Sequence, residues 1–352
     1  MYTIFNFFAV TSGYGLTKHI VAAVPYEFYL AEHYNPPRLT GCQKLSIFVQ
    51  PPPVTTLLQT VDVDLNNKLG EGGYGIVYAG KYDGKPVAVK LMDYGTRHHR
   101  KRSAVTELKI NKMISTKCHA AIAQPIGMRF DFDECQAILV MELCKGEELS
   151  ELLKSDRLTD CQKLSIFVQF VHAVKFLHDR GITHRDLKPH NAVFDAETNS
   201  LKLIDFGIAS FKMFQDVTKD MSRPGTRGYR APEVADPSGN YNLPATDIWG
   251  LGVILWQLFE RRDTDRYPEL PFDRVYDRSL LVNIQAKIEF TILPLNSPIR
   301  QMISCLFQDT KERPTIRQLV DHRMIQNWER VRDLESKRCH LVQSVSGGLQ
   351  VN

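Results

Sequence analysis

The chain has 352 residues, 43% of them apolar and 24% charged, the proportions of a soluble globular protein able to bury a sizeable core. With 44 Lys and Arg against 40 Asp and Glu, its net charge of +4 is too mild to argue for a nucleic-acid partner. Its seven cysteines are odd in number and contain no C-x-x-C pair, which fits a reducing compartment better than a disulfide framework.

The chain opens on MYTIFNFFAVTSGYG, an apolar stretch with no basic residue before it. Lys18 is the first basic residue and Pro25 follows soon after, so neither a secretory signal nor a membrane-spanning helix is expected. A cytoplasmic location is expected, with the nucleus as the alternative. Up to residue 57, aromatics mix with Pro36-Pro37 and Pro51-Pro52-Pro53 without a sustained period, and this extension is expected to be poorly ordered. Within it lies RLTGCQKLSIFVQ, Arg38 to Gln50, which returns as RLTDCQKLSIFVQ, Arg157 to Gln169, changed only at Gly41 against Asp160. The later copy belongs where it is: Thr159 can cap a helix that runs on through FVHAVKFLHDRG. The earlier copy is stopped by the three prolines, and a helix that short is marginal alone in water. Two readings stand for it: an intramolecular mimic competing for the groove of the home helix, or a duplicated exon or gene-model error.

From 58 to 142 the chain reads as short β-branched runs broken by glycine, KLGEGGYGIVYAGKYDG, KPVAVKLMD and AILVMEL, with one helical stretch, SAVTELKINKMI. The basic run Arg97 to Arg102 ahead of that helix reads as a solvated helix face rather than a nucleic-acid patch. From 143 to 331 the pattern is mainly helical. Leu164, Phe167, Val168, Val171, Val174 and Leu177 recur at steps of three and four, one buried face of a helix that Gly181 closes. Asp247 to Glu260 is a more continuously apolar helix suited to the core. A tail, 332–352, follows. The expectation is an α+β chain with a small antiparallel β-rich lobe, a larger helical lobe and a ligand cleft between them.

Chemistry-bearing motifs fall along these elements. Gly70-Glu71-Gly72-Gly73-Tyr74-Gly75-Ile76-Val77 is a G-x-G-x-x-G-x-V run, in which glycine lets backbone approach phosphate oxygens. Alone it also suits a dinucleotide turn or a plain hairpin, although the strand that follows counts against the dinucleotide form. Val87-Ala88-Val89-Lys90 ends an alternating strand in a lysine. Then come His184-Arg185-Asp186-Leu187-Lys188-Pro189-His190-Asn191, Asp205-Phe206-Gly207, and Gly225-Thr226-Arg227-Gly228-Tyr229-Arg230-Ala231-Pro232-Glu233.

With these motifs in this order, residues 60 to 331 resemble a eukaryotic protein kinase. The resemblance implies the two-lobed protein-kinase fold, ATP and Mg²⁺ as cofactors, and protein substrates. Gly70, Gly72, Gly73, Tyr74 and Gly75 would cover the phosphates, while Val77, Ala88 and Val193 sandwich the purine. Met141 would be the gatekeeper, with Glu142 and Cys144 in the hinge, where Cys144 reads as an ordinary thiol. Lys90 would hold the α- and β-phosphates and pair with Glu107, the one acid between Lys90 and Phe130 besides Asp93. Asp186 would accept the substrate proton, Lys188 steady the γ-phosphate, and Asn191 and Asp205 bind the metal. Lys188 and Thr226 imply serine/threonine specificity. Asp247-x-Trp249-x-x-Gly252 would underpin the catalytic loop, and Arg313 would pair with Glu233. Ser222 and Thr218 would be targets of an upstream kinase, with Arg185 placed to meet the added phosphate. Two departures stand out. Asn111 takes the place of an aliphatic residue in the family's hydrophobic spine, and Glu148 is a lone acid where His190 and Gln257 replace others, which leaves the substrate consensus open. The alternative reading is a pseudokinase or scaffolding module that binds nucleotide and partners without efficient turnover.

Overall fold

The computed structural model describes residues 61–332 apart from 74, 96, 132–134, 156, 212–223, 236–240, 261–270, 272–287, 289 and 291. Tyr74, Thr218, Ser222, the extension 1–57 with its Arg38 copy, and all of the tail but residue 332 lie outside the described residues.

The first lobe is a five-stranded antiparallel sheet in the order β1-β2-β3-β5-β4. It comprises β1 (Asp62–Gly72), β2 (Gly75–Tyr82), β3 (Lys85–Asp93), β4 (Pro125–Asp131) and β5 (Gln136–Glu142). Asp83 and Gly84 join β2 to β3 with φ of 51° and 70°, the left-handed pair that a two-residue hairpin between right-twisted strands demands. Val87 and Val89 of β3 and Val140 of β5 bury one face of the sheet. The strand β4 carries no alternating signal in its sequence, because Pro125 and Gly127 open it and the register shifts between them.

Between β3 and β4 runs α1 (His98–Ser115). It begins at His98 rather than at Ser103, so most of the basic run forms its first turns, with Arg100 and Arg102 exposed. Ala104, Val105, Leu108, Ile110 and Ile114 are its buried face.

The second lobe contains β6 (Glu147–Glu148), α2 (Leu149–Lys154), α3 (Asp160–His178), β7 (Ile182–Thr183), β8 (Ala192–Asp195), β9 (Ser200–Leu203), β10 (Ser210–Phe211), α4 (Leu243–Glu260), α5 (Pro298–Leu306) and α6 (Ile316–Val320). Thr159 caps α3 in a reciprocal box with Gln162, and Gly181, at φ 73°, ends it with an N–H donated to the His178 carbonyl at 3.0 Å. The expected stripe is buried except for Leu164, which is half-exposed, but Ile166, Phe170 and Ala173 are buried as well. The helix is buried well beyond that stripe because α4, α6, β7 and β9 all pack against it. A second copy of its first turns competing for this groove has to displace a helix whose buried Phe and Val side chains are each worth roughly 1.5–3 kcal/mol.

Helix α4 begins at Leu243, ahead of Asp247, and is buried along nearly its whole length. Asp247 accepts the backbone N–H of His184 and of Arg185, each at 2.8 Å, and lies 2.8 Å from the ring of His178. Gly252 is required by close approach: a Cβ there would meet Phe307 at 2.8 Å. Arg313 donates to both oxygens of Glu233, at 2.6 and 3.2 Å, and to the Ala245 carbonyl at 2.7 Å, with its side chain wholly buried. Replacing Glu233 by alanine strands that guanidinium. The expected cost is about 3–5 kcal/mol in urea unfolding of the full chain, and a loss below about 1 kcal/mol would show that the pair does not hold the segment after Thr226 to α4.

Candidate active site

A cleft of about 750 Å³ separates the sheet from the helical lobe. Its roof is the β1–β2 turn with Val77 and Ala88, its back wall runs from Met141 to Cys144, and its floor holds Asp186, Asn191, Val193 and Asp205. A Cβ at Gly70, Gly72 or Gly73 would meet no protein atom within 4 Å, whereas at Gly75 it would run into the Leu91 carbonyl oxygen at 2.5 Å. Packing therefore demands glycine only at Gly75. At the other three, the absent side chains leave backbone amides open to the cleft, the surface that phosphate oxygens need.

Lys90, on β3, donates to Glu107 Oε1 of α1 at 2.6 Å and to Asp205 Oδ1 at 2.8 Å. Burial opposes the lysine's charge, but Glu107 and Asp205 outweigh it and raise the ammonium above its ordinary range. Burial likewise pushes the Glu107 carboxyl upward against the pull of Lys90. Asp205 also accepts the Gly207 N–H at 3.0 Å, and 38% of its side chain stays open to the cleft.

Opposite, Asp186 Oδ1 accepts both the N–H and the hydroxyl of Thr226, at 2.8 and 2.7 Å. Lys188 Nζ lies 2.7 Å from Asp186 Oδ2 and donates to the Thr226 hydroxyl at 2.7 Å. Asn191 donates to the Asp186 carbonyl at 2.8 Å and to its carboxylate at 3.2 Å. Burial alone would raise the Asp186 carboxyl, but Lys188 and the Thr226 bonds hold it below the usual carboxylate range, so it is an anion at neutral pH.

The hinge is tied down by contacts that motif reading does not reveal. Glu142 accepts the Gln124 N–H and the Lys202 ammonium, each at 2.7 Å. Leu69 and Ile204 also line the cleft without a motif to mark them, although Ile204 is an apolar residue between the end of β9 and Asp205. Asn111, buried at 3% exposure, donates to the Glu107 carbonyl at 2.9 Å. The partner for its amide thus lies one turn back on its own helix.

A family model described as "Protein kinase domain" matches residues 63–325. The chain belongs to the protein kinase family. Members of this family use ATP with a divalent metal, and the antiparallel sheet over a helical lobe is the two-lobed kinase fold. The kinase is 29% identical over 305 residues to the cell cycle serine/threonine-protein kinase CDC5/MSD2 of Saccharomyces cerevisiae, covering 82% of this chain and 40% of that one. It is 29% identical over 273 residues to the SNF-related serine/threonine-protein kinase of Rattus norvegicus, 75% of this chain and 34% of that one. With the CBL-interacting serine/threonine-protein kinase 8 of Arabidopsis thaliana it shares 32% over 233 residues, 65% of this chain and 49% of that one. The chain thus spans less than half the length of each of these relatives.

Of the expected site residues that are described, all but Glu107 line the cleft, and Glu107 reaches it through Lys90, while Tyr74 lies outside the described residues. Cys144, in the hinge, has its thiol pushed up to about 12 by burial and by Glu142 beside it. Thiolate is the reactive form, so iodoacetamide at neutral pH is expected to label the exposed Cys118, Cys161 and Cys305 while sparing Cys144, as read by peptide mass spectrometry. Labelling of Cys144 at a comparable rate would contradict this environment.

Proposed function

We propose that this chain is a serine/threonine protein kinase that transfers the γ-phosphate of ATP to hydroxyls of protein substrates. The observation that carries the reading is a pair of charge clusters sharing one cleft, Lys90 with Glu107 and Asp205 on one side and Asp186 with Lys188 and Thr226 on the other. Phosphoryl transfer needs neutralised phosphate charge and an in-line acceptor rather than covalent help from the protein.

Lys90 holds the α- and β-phosphates under the amides of Gly70, Gly72, Gly73 and Gly75, and Tyr74 belongs to the same phosphate-covering run. Val77, Ala88 and Val193 enclose the purine, and the backbone of Glu142 and Cys144 meets its edge behind Met141. Asp205 and Asn191 offer one carboxylate and one amide oxygen, the hard donors that suit Mg²⁺. With these two side chains, phosphate oxygens and water would supply the other ligands. Magnesium bound there supplies neutralisation of the phosphate charge. Asp186 accepts the hydroxyl proton, Lys188 steadies the γ-phosphate, and the Thr226 bonds hold the Asp186 carboxylate still.

We assign the catalytic domain to residues 58–331, the lobes to 58–142 and 143–331, and 1–57 and 332–352 to an extension and a tail. An upstream kinase acting at Ser222 or Thr218 and a cytoplasmic location belong to the same reading. Among the described residues no helix is long and apolar enough to cross a membrane. Incubating the full chain with radiolabelled ATP, Mg²⁺ and a basic protein is expected to yield phosphoserine and phosphothreonine. Asp186→Asn is expected to lower the rate by about two to four orders of magnitude with little change in thermal stability. Phosphotyrosine as the main product, or retention of most of the activity in Asp186→Asn, would overturn the assignment.

A further inference from the structure

Residues 143–145, the stretch of the hinge between β5 and Gly146, run between two fixed points. Beyond them, Gly146 takes φ 104°, and a Cβ there would meet the Phe194 carbonyl oxygen at 2.3 Å, so the backbone lies directly on β8. Ahead of them, Glu142 is held twice by Gln124. Its N–H donates to the Gln124 carbonyl at 2.9 Å, and its Oε1 accepts the Gln124 N–H at 2.7 Å. Lys202 Nζ donates to that same oxygen at 2.7 Å.

Lys202 comes from the other side of the cleft. It lies on β9 directly across from Val193 of β8, and cross-strand partners share a face of their sheet. One lysine therefore joins the floor of the cleft to its back wall. Other bonds attach β9 to the same region. Leu203 donates its N–H to the Ala121 carbonyl at 3.0 Å and accepts the Ala123 N–H at 2.9 Å, which leads from β9 to Gln124 through the backbone. Neither member of the pair is deeply buried, with 24% of the Lys202 side chain and 32% of the Glu142 side chain open. Removing the ammonium leaves Glu142 solvated and still bonded to Gln124. What is lost is the fixed spacing of floor and wall rather than the fold.

We propose that Lys202 is a positioning residue for the nucleotide base: by holding Glu142 from the floor, it sets the gap between Val193 and the hinge backbone, and so the affinity for the adenosine end of ATP. The proposal rests on the kinase reading above and adds a residue to that same site. Lys202 itself does not line the cleft, so it acts through Glu142 and Val193 rather than by touching the nucleotide. Hydrogen bonds to the edge of a base weaken steeply as their geometry departs from the optimum, so a wall that shifts against the floor loosens the base. Asp186 and Lys188, at the far end of the cleft, are bonded to Thr226 and to each other and are untouched by the tie.

The test uses the full chain and adenosine, which carries the base and sugar without phosphate, titrated by calorimetry against wild type, Lys202→Met and Lys202→Arg. Lys202→Met is expected to weaken adenosine binding roughly three- to tenfold and to raise the KM for ATP by the same factor, with kcat and the KM for a basic protein substrate within about twofold of wild type. Lys202→Arg keeps the charge and is expected to recover most of the loss. A merely structural role would lower activity without this split between KM and kcat. Unchanged adenosine affinity in Lys202→Met would overturn the proposal. So would a KM for ATP that rises while adenosine affinity holds, which would place the effect at Asp205 on the segment after β9. Equal losses in Lys202→Arg and Lys202→Met would overturn it as well. Calorimetry needs no turnover, so a wild type that transfers no phosphate would overturn the kinase reading while the adenosine titrations still decide the role of Lys202.

Discussion

The ammonium of Lys90 joins three parts of the molecule. It sits on β3, bonds Glu107 on α1, and bonds Asp205 on the segment that leaves β9 in the other lobe. A lysine buried to 5% exposure is stable only with its charge answered, and both answering carboxylates come from elsewhere in the chain. The bond to Glu107 ties α1 to the sheet, and the bond to Asp205 ties the lobes together alongside the Leu203 backbone bonds to Ala121 and Ala123 and the Lys202–Glu142 pair. Asn111 reinforces this from one turn along α1 by donating to the Glu107 carbonyl. A polar residue at a buried site is tolerated there because its amide finds a local acceptor, so the departure from an apolar spine leaves the donor satisfied rather than stranded.

The helical lobe supplies a rigid counterpart. Asp247 holds the backbone of His184 and Arg185, and the ring of His184 lies 5.3 Å from that of Phe206. The loop ending in Asp186 and the segment beginning at Asp205 are thereby fixed to each other before any ligand arrives. Glu233 and Arg313 anchor the far end of the segment bearing Thr226, and Thr226 closes the circuit onto Asp186. Electrostatic catalysis of phosphoryl transfer depends on groups that need not move when charge develops, and this network provides them.

Much of this was legible in the sequence because the residues that matter are charged, sparse and set in motifs. Lys90, Glu107, Asp186, Asn191 and Asp205 are far apart in the chain, and it is the resemblance to kinases carried by their motifs that picks them out, after which the structure brings them to one cleft. The Thr159 cap and the Gly181 stop were legible for a similar reason, since each satisfies a local backbone demand. What escaped were features with no local signature. The strand β4 is hidden by Pro125 and Gly127, and the first turns of α1 are basic rather than apolar, so periodicity starts too late. The burial of α3 on both sides follows from what packs against it, not from its own pattern, and the anchoring of Glu142 by Gln124 and Lys202 joins residues from three segments.

The claim on which the account turns is that the Lys90 and Asp205 charges are arranged for a metal-bound nucleotide triphosphate. Thermal unfolding of the full chain with ATP, with and without Mg²⁺, tests it most directly, because a ligand that binds only the folded state stabilises it by about 2.7 kcal/mol at a hundred times its Kd. The wild type is predicted to melt several degrees higher with ATP and Mg²⁺ and to lose most of that gain with EDTA, and Lys90→Met and Asp205→Asn to show little gain at all. A wild-type melting temperature indifferent to ATP at millimolar concentration, or a full shift retained in Lys90→Met, would contradict it.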